Sequence, residues 1–245
     1  MDYDVYVRTI RDDTDRLADA AEEAGLGAAV PACPGWTVAE LTHHVGNVQR
    51  TWTRHVTSRS TEPPDFSAAH EAAPDGDQRF EWVRQGGQAL ADALASTPET
   101  TPMWVFAGEG TVRFWARRQA HEVTMHRCDA ELAAGRLGSI DADLAADGVN
   151  EYFELVGHMP AAQAAKGAGE TIHFHCTDRE VEWLAVITEH GIEMRPEHTK
   201  ADVALRGPAN AVFLAVWNRI APDNPELEVF GDVQVLERWR RLTSI

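Results

Sequence analysis

Apolar residues along this chain keep a helical period through roughly the first two-thirds and then lose it. Tyr3, Val7, Ile10, Thr14, Leu17 and Ala21 fall at alternating steps of four and three, one stripe of a helix, with Gly25 as its stop. Pro31-Ala-Cys-Pro-Gly-Trp36 reads as a rigid turn. Thr37, with Glu40 three residues later, is a capping box, so a second helix starts here. Its apolar positions are Val38, Leu41, Val45, Val48, Trp52 and Val56. A polar connection from Ser58 to about Gly76 precedes a third helix marked by Phe80, Val83, Leu90 and Leu94 and closed by Ser96-Thr-Pro98. A Gly-rich turn, Gly108-Glu-Gly110, leads to a fourth helix from about Thr111 to Ala134, and a fifth is expected from Asp141 to Val156. Helices of this length suggest an antiparallel bundle.

The pattern changes after Gly157. Residues 158–170 are rich in Ala, Gly and Pro and read as a linker. Thr171–Cys176 and Val181–Thr188 are β-prone, and His190-Gly191 turns into Ile192-Glu-Met194. Ala201–Leu205 is a further strand stopped by Gly207-Pro208. Residues 209–220 read as helical, Leu227–Phe230 as extended and Val233–Leu242 as helical. Strands mixed with two short helices describe a small α+β domain. The expected organisation is α+β overall: a helical bundle over 1–157, a linker over 158–170, and a small α+β domain over 171–245.

Charge and cysteine content narrow the chemistry. The 22 basic and 39 acidic residues give 22 − 39 = −17, which argues against a nucleic-acid or anionic-membrane partner. Cys33, Cys128 and Cys176 are scattered, without a CxxC pair, so neither a disulfide framework nor a thiolate zinc site is expected. The N-terminus lacks signal-peptide character and no apolar run reaches membrane length, which makes the cytoplasm the expected location.

Helix geometry separates the histidines. At about 100° per residue, Val38, Val45, Val48 and Trp52 lie within roughly 60° of Leu41 on the second helix. His44 falls at the edge of that buried stripe, whereas His43 points almost opposite, toward solvent. On the fourth helix, Glu122 and His126 stand four apart and share a face with Trp115, Arg118 and Asp129. The segment is HExxxH rather than HExxH. His121 and His126 therefore diverge and cannot chelate one ion as a zincin pair does.

His44 facing Glu122 and His126 would make a two-histidine, one-carboxylate set, which suits a catalytic zinc with an open position or a non-haem ferrous ion. Asp129 would orient an imidazole or pair with Arg118 or Arg127. On spacing alone the plainer reading is favoured: a hydrogen-bonded core histidine and a solvated Glu/His face. His173 and His175 alternate along one strand face and are read as a half-exposed strand rather than a metal pair. Trp52, Trp104 and Trp115 read as core and rim packing, with Trp115 also a candidate for the pocket mouth. Cys128 reads as a small buried hydrophobe, and Cys33 has no assigned role.

Pro34-Gly-Trp-Thr-Val-Ala-Glu-Leu-Thr-His-His44-Val-Gly resembles the Pro-Gly-Trp-Thr-Val-x-Asp-Leu-x-x-His-Leu-Gly signature of the mycothiol-dependent maleylpyruvate isomerase family. Ala120-His-Glu122-x-x-x-His126-Arg-x-Asp129-Ala is similar to the second signature of that family. More weakly, Ala201-Asp-Val-x-Leu-Arg-Gly207, Val216-Trp-Asn-Arg219 and Val229-Phe-Gly-Asp232 resemble its C-terminal domain.

The resemblance implies a DinB-like four-helix bundle carrying a divalent metal, typically zinc, on His44, Glu122 and His126, with mycothiol as thiol cosubstrate. It implies addition of a thiolate to the double bond of maleylpyruvate, rotation, and elimination to fumarylpyruvate; a thiol S-transferase would keep the adduct instead. Arg219 matches the family's Trp-x-Arg arginine, and a guanidinium there suits a carboxylated substrate. Arg118 is a second candidate for that role, and a surface salt bridge is the plain alternative for each. A zinc hydrolase or amidase, or a non-catalytic bundle protein, are the competing classes. The expected assembly is a monomer or homodimer.

Overall fold

The computed structural model describes residues 1–65, 71–107 and 110–243, so the predicted polar connection after Ser58 and the Gly-rich turn at 108–110 lie partly outside the described residues. The chain forms two compact units, Met1–Gly138 and Ser139–Ile245.

The first unit holds α1 (Tyr3–Ala24), α2 (Val38–Ser58), α3 (Gln78–Ala95) and α4 (Val112–Ala133). Each starts and stops close to its local signals. Gly25, at φ +81°, ends α1 in the left-handed region that a side chain would resist. The Thr37 N–H donates to the Glu40 carboxylate at 2.8 Å, half of the capping box that opens α2. The predicted apolar stripes are buried: Ile10, Leu17, Leu41, Val56, Val83, Leu90 and Leu94 are all within 1% of full burial. Trp52 of α2 stacks on Trp115 of α4, and the indole of Trp115 donates to the Trp104 carbonyl at 2.7 Å.

Charged groups also knit this core. Asp13 of α1 accepts from the Thr124 hydroxyl at 2.7 Å and lies 3.3 Å from the buried Arg127, which in turn pairs with Glu131 at 3.1 Å. Burial pushes the Asp13 carboxyl up despite those partners.

The second unit contains α5 (Ala142–Val156), α6 (Pro160–Ala164), β1 (Glu170–Cys176), β2 (Glu182–Thr188), β3 (Gly191–Arg195), β4 (Val203–Gly207), α7 (Ala209–Val216), β5 (Glu228–Gly231) and α8 (Val233–Leu242). The sheet order is β3-β2-β1-β4-β5, with β1 and β4 parallel and the other neighbours antiparallel. One face, bearing Ile172, Phe174 and Cys176, is buried against helices: Phe174 meets Phe153 of α5 and Trp239 of α8 at ring separations of 4.7 and 5.3 Å. The alternate residues Thr171, His173 and His175 occupy the other face.

Two expectations need correction here. The fifth helix does not extend the bundle; it packs on α7 and β3, so the division falls after Gly138 rather than Gly157. Its Phe153 packs on Phe174 and Trp183 of the sheet, and its Tyr152 on Trp217 at the end of α7. Nor is 158–170 a bare linker. It holds α6 with Ala162 fully buried, and Gly167 and Gly169 donate to the β2 carbonyls of Thr188 and Ile187 at 2.8 and 3.0 Å. No helix among the described residues is long and apolar enough to cross a membrane.

Candidate metal centre

The turn before α2 is built from its own backbone. Val30 N–H donates to the Trp36 carbonyl and Trp36 N–H to that of Cys33, each at 3.0 Å, while Gly35 takes φ +86°. This presents Trp36 beside two imidazoles. Its ring centroid lies 5.2 Å from that of His44 and 6.5 Å from that of His126, nearly parallel to the latter at 19°.

His44 on α2 and His126 on α4 meet edge to face, with ring centroids 5.0 Å apart. Both direct Nε2 at one oxygen of Glu122: His44 Nε2 is 3.4 Å from Oε1 and His126 Nε2 is 3.2 Å from it. The other carboxylate oxygen, Oε2, accepts from Arg118 Nη2 at 2.8 Å. Behind His126, Asp129 Oδ2 accepts from Nδ1 at 2.9 Å. Asp129 is fully buried, and the Cys33 thiol reaches the same oxygen at 3.6 Å.

These contacts set the charges. Burial disfavours the Glu122 carboxylate, but hydrogen bonds from His126 and His44 and the charges of His126 and Arg118 outweigh it and hold the group well below its ordinary range. Burial likewise pushes the His126 imidazole down, yet the Asp129 and Glu122 carboxylates win and raise it to about 9.

The donor set fits a small divalent cation. With metal–ligand bonds of about 2.0–2.2 Å, neighbouring ligands on a tetrahedron stand about 3.3–3.6 Å apart. The Glu122–His126 and Glu122–His44 separations of 3.2 and 3.4 Å match that spacing closely, and all three donor atoms lie within 4.8 Å of one another. Asp129 engages Nδ1 of His126, so Nε2 is the nitrogen that would ligate a metal ion held there. The side chains of His44, Glu122 and His126 are 36%, 27% and 11% exposed, so the set opens on one side.

His44, Glu122, His126, Arg118 and Asp129 thus converge as one cluster. Trp115 does not line a pocket mouth; it is 1% exposed within the Trp52, Trp104 and Phe114 aromatic stack. Arg219 lies in the second unit, just past α7, where Nη1 donates to the Trp217 carbonyl at 2.7 Å. His121 is 1% exposed and meets Tyr6 edge-on at 6.2 Å, away from the ligand pair as its phase requires. His43 contacts the Glu71 carbonyl at 3.2 Å. Sequence reasoning missed Trp36 and Cys33 as members of the cluster. Their common turn was the available signal, but loop conformation has no period from which to read direction.

Comparison with known proteins bears on this assembly. The family model described as "Mycothiol maleylpyruvate isomerase N-terminal domain" matches residues 7–131, and the one described as "MDMPI C-terminal domain" matches residues 143–238. No curated protein matches the chain. Among solved structures, a histidine-to-alanine mutant of the mycothiol-dependent maleylpyruvate isomerase is similar at 13% identity and a TM-score of 0.61, covering 89% of this chain and 90% of that one. A second structure, titled as the mycothiol-dependent maleylpyruvate isomerase, is similar at 11% identity and a TM-score of 0.60, covering 94% and 93%. The two solved structures share the fold, and the N-terminal match takes in His44, Glu122 and His126. The chain belongs to the mycothiol maleylpyruvate isomerase family.

Proposed function

We propose that this protein is a cytoplasmic enzyme that uses a divalent metal, zinc, and a low-molecular-weight thiol, mycothiol, to isomerise a small unsaturated dicarboxylate of the maleylpyruvate type. The observation that carries the reading is the convergence of His44 Nε2 and His126 Nε2 on one oxygen of Glu122, at 3.4 and 3.2 Å, in a cluster whose three donor atoms lie within 4.8 Å of one another. Zinc held there would lower the pKa of a thiol and supply thiolate at neutral pH.

The surrounding residues prepare that position. Arg118 occupies Oε2 of Glu122, so the carboxylate offers Oε1 in a fixed orientation. Asp129 selects the His126 tautomer that offers Nε2. Trp36 covers the two rings with an apolar plane, which strengthens every charge interaction beneath it. The net reaction adds thiol across a double bond conjugated to a carbonyl, allows rotation about the resulting single bond, and expels the thiol unchanged.

The test is turnover of maleylpyruvate by zinc-loaded protein with and without mycothiol, followed by ultraviolet absorbance. Turnover that requires both zinc and thiol supports the proposal. Accumulation of a stable thioether would make the enzyme an S-transferase, and hydrolysis of an ester or amide without thiol would replace the reading with a zinc hydrolase.

A further inference from the structure

The face of the second unit's sheet that is turned away from its helices carries a different group of metal-binding side chains. His173 and His175 leave β1 on the same side, and Glu182 on β2 is the register partner of His175. The segment that follows the edge strand β3 brings in His198. Glu182 sits among the three rings: Oε1 is 2.8 Å from His175 Nδ1, Oε2 is 3.2 Å from His173 Nε2, and Oε2 also contacts Nδ1 of His198. One donor atom from each of the four residues lies within 4.8 Å of the other three.

Ion pairing alone accounts poorly for this arrangement. Glu182 carries one negative charge, and three imidazolium rings with centroids 5.2, 6.0 and 6.5 Å apart would repel one another. A divalent cation satisfies all four side chains together, because each ring ligates in its neutral form. We propose that His173, His175, Glu182 and His198 form a second divalent-cation site, separate from the His44 centre, that takes zinc as a structural ion.

The donor chemistry selects the ion. Three imidazole nitrogens and one carboxylate suit zinc and its late-transition neighbours; magnesium and calcium prefer oxygen cages and copper(I) prefers sulfur. Four protein ligands close a tetrahedron and leave no position for substrate, which makes the site structural. His173 is largely buried, whereas the His198 side chain is 76% exposed. The ion therefore draws an exposed segment onto the sheet and clips it to β1 and β2. Because only the folded arrangement assembles the four donors, binding stabilises the second unit.

The full-length protein is stripped with a chelator and titrated with Zn2+, as wild type, His44→Ala, His198→Ala and the double variant, with metal content and thermal midpoint measured for each. The expected result is about two equivalents in the wild type, about one in each single variant and none in the double variant. Zn2+ should raise the thermal midpoint of His44→Ala and leave that of the double variant unmoved. His198 is on an exposed segment, so circular dichroism should be unchanged by its replacement. Co2+ bound to His44→Ala should give the strong visible absorption of a tetrahedral site, lost in the double variant. A His44→Ala protein that binds no Zn2+, or a His198→Ala protein that keeps the wild-type content, overturns the second site while leaving the first untouched.

Discussion

Asp129 accepts a hydrogen bond from Nδ1 of His126 at 2.9 Å, and by doing so turns Nε2 of the same ring toward Glu122. Replacing Asp129 with Asn preserves the shape but removes the charge that holds this tautomer. Metal affinity should fall by about 10- to 100-fold. Calorimetric titration of Asp129→Asn with Zn2+ checks this, and wild-type affinity would leave Asp129 with a purely structural part.

The adjacent histidines of α2 should behave differently. His44→Ala is expected to lose the bundle's metal and all thiol-dependent activity, while His43→Ala keeps both, since His43 meets the Glu71 carbonyl rather than the Glu122 carboxylate. Metal analysis of the two variants side by side decides it. Equal loss would mean that the α2 phase does not govern the site.

Glu122→Gln should weaken metal binding and exchange the charge-assisted bond from Arg118 at 2.8 Å for a weaker neutral one. Arg118 is largely buried, so the variant also loses stability, by about 1–3 kcal/mol in the metal-free protein. Urea melts of the chelator-treated variant measure the second effect, and metal content measures the first. Unchanged metal content would remove Glu122 from the ligand set.

Gly46 lies two residues after His44, where a Cβ would come within 1.8 Å of the Trp82 ring. Gly46→Ala should cost about 1–3 kcal/mol through overpacking of α2 against α3. Adding Trp82→Leu should restore most of the loss. A denaturation midpoint unmoved by Gly46→Ala would show that the indole swings aside freely.

Alkaline pH should destabilise the protein through its buried thiols. Burial pushes Cys128 and Cys176 up from 9.0 to about 12. Between these values the folded thiols keep protons that the unfolded ones release, so the folded state binds more protons and stability falls as pH rises. The contribution is complete below about pH 9 and gone above about pH 12. Urea midpoints measured from pH 8 to 11 should drop, and less steeply in a Cys128→Ala/Cys176→Ala variant; parallel curves would assign the drop to other groups.

Much of the local architecture was legible in the linear chain. Gly25, the Thr37–Glu40 box and the stripe from Leu41 to Val56 mark their helices through short-range sterics and hydrogen bonds, which act over a few residues. The same 3.6-residue period separated His44 from His43 and Glu122 from His121, because direction around a helix follows from residue number alone.

Long-range choices were not legible. The period of α5 shows an apolar face but not its partner, and only the sheet's need for a covering helix placed it with α7 and β3. Trp36 and Cys33 reach the cluster by way of a loop, and His198 joins His173, His175 and Glu182 across three strands. Periodicity can say which way a side chain points from its own element. What it meets there is decided by burial and chain closure over the whole fold.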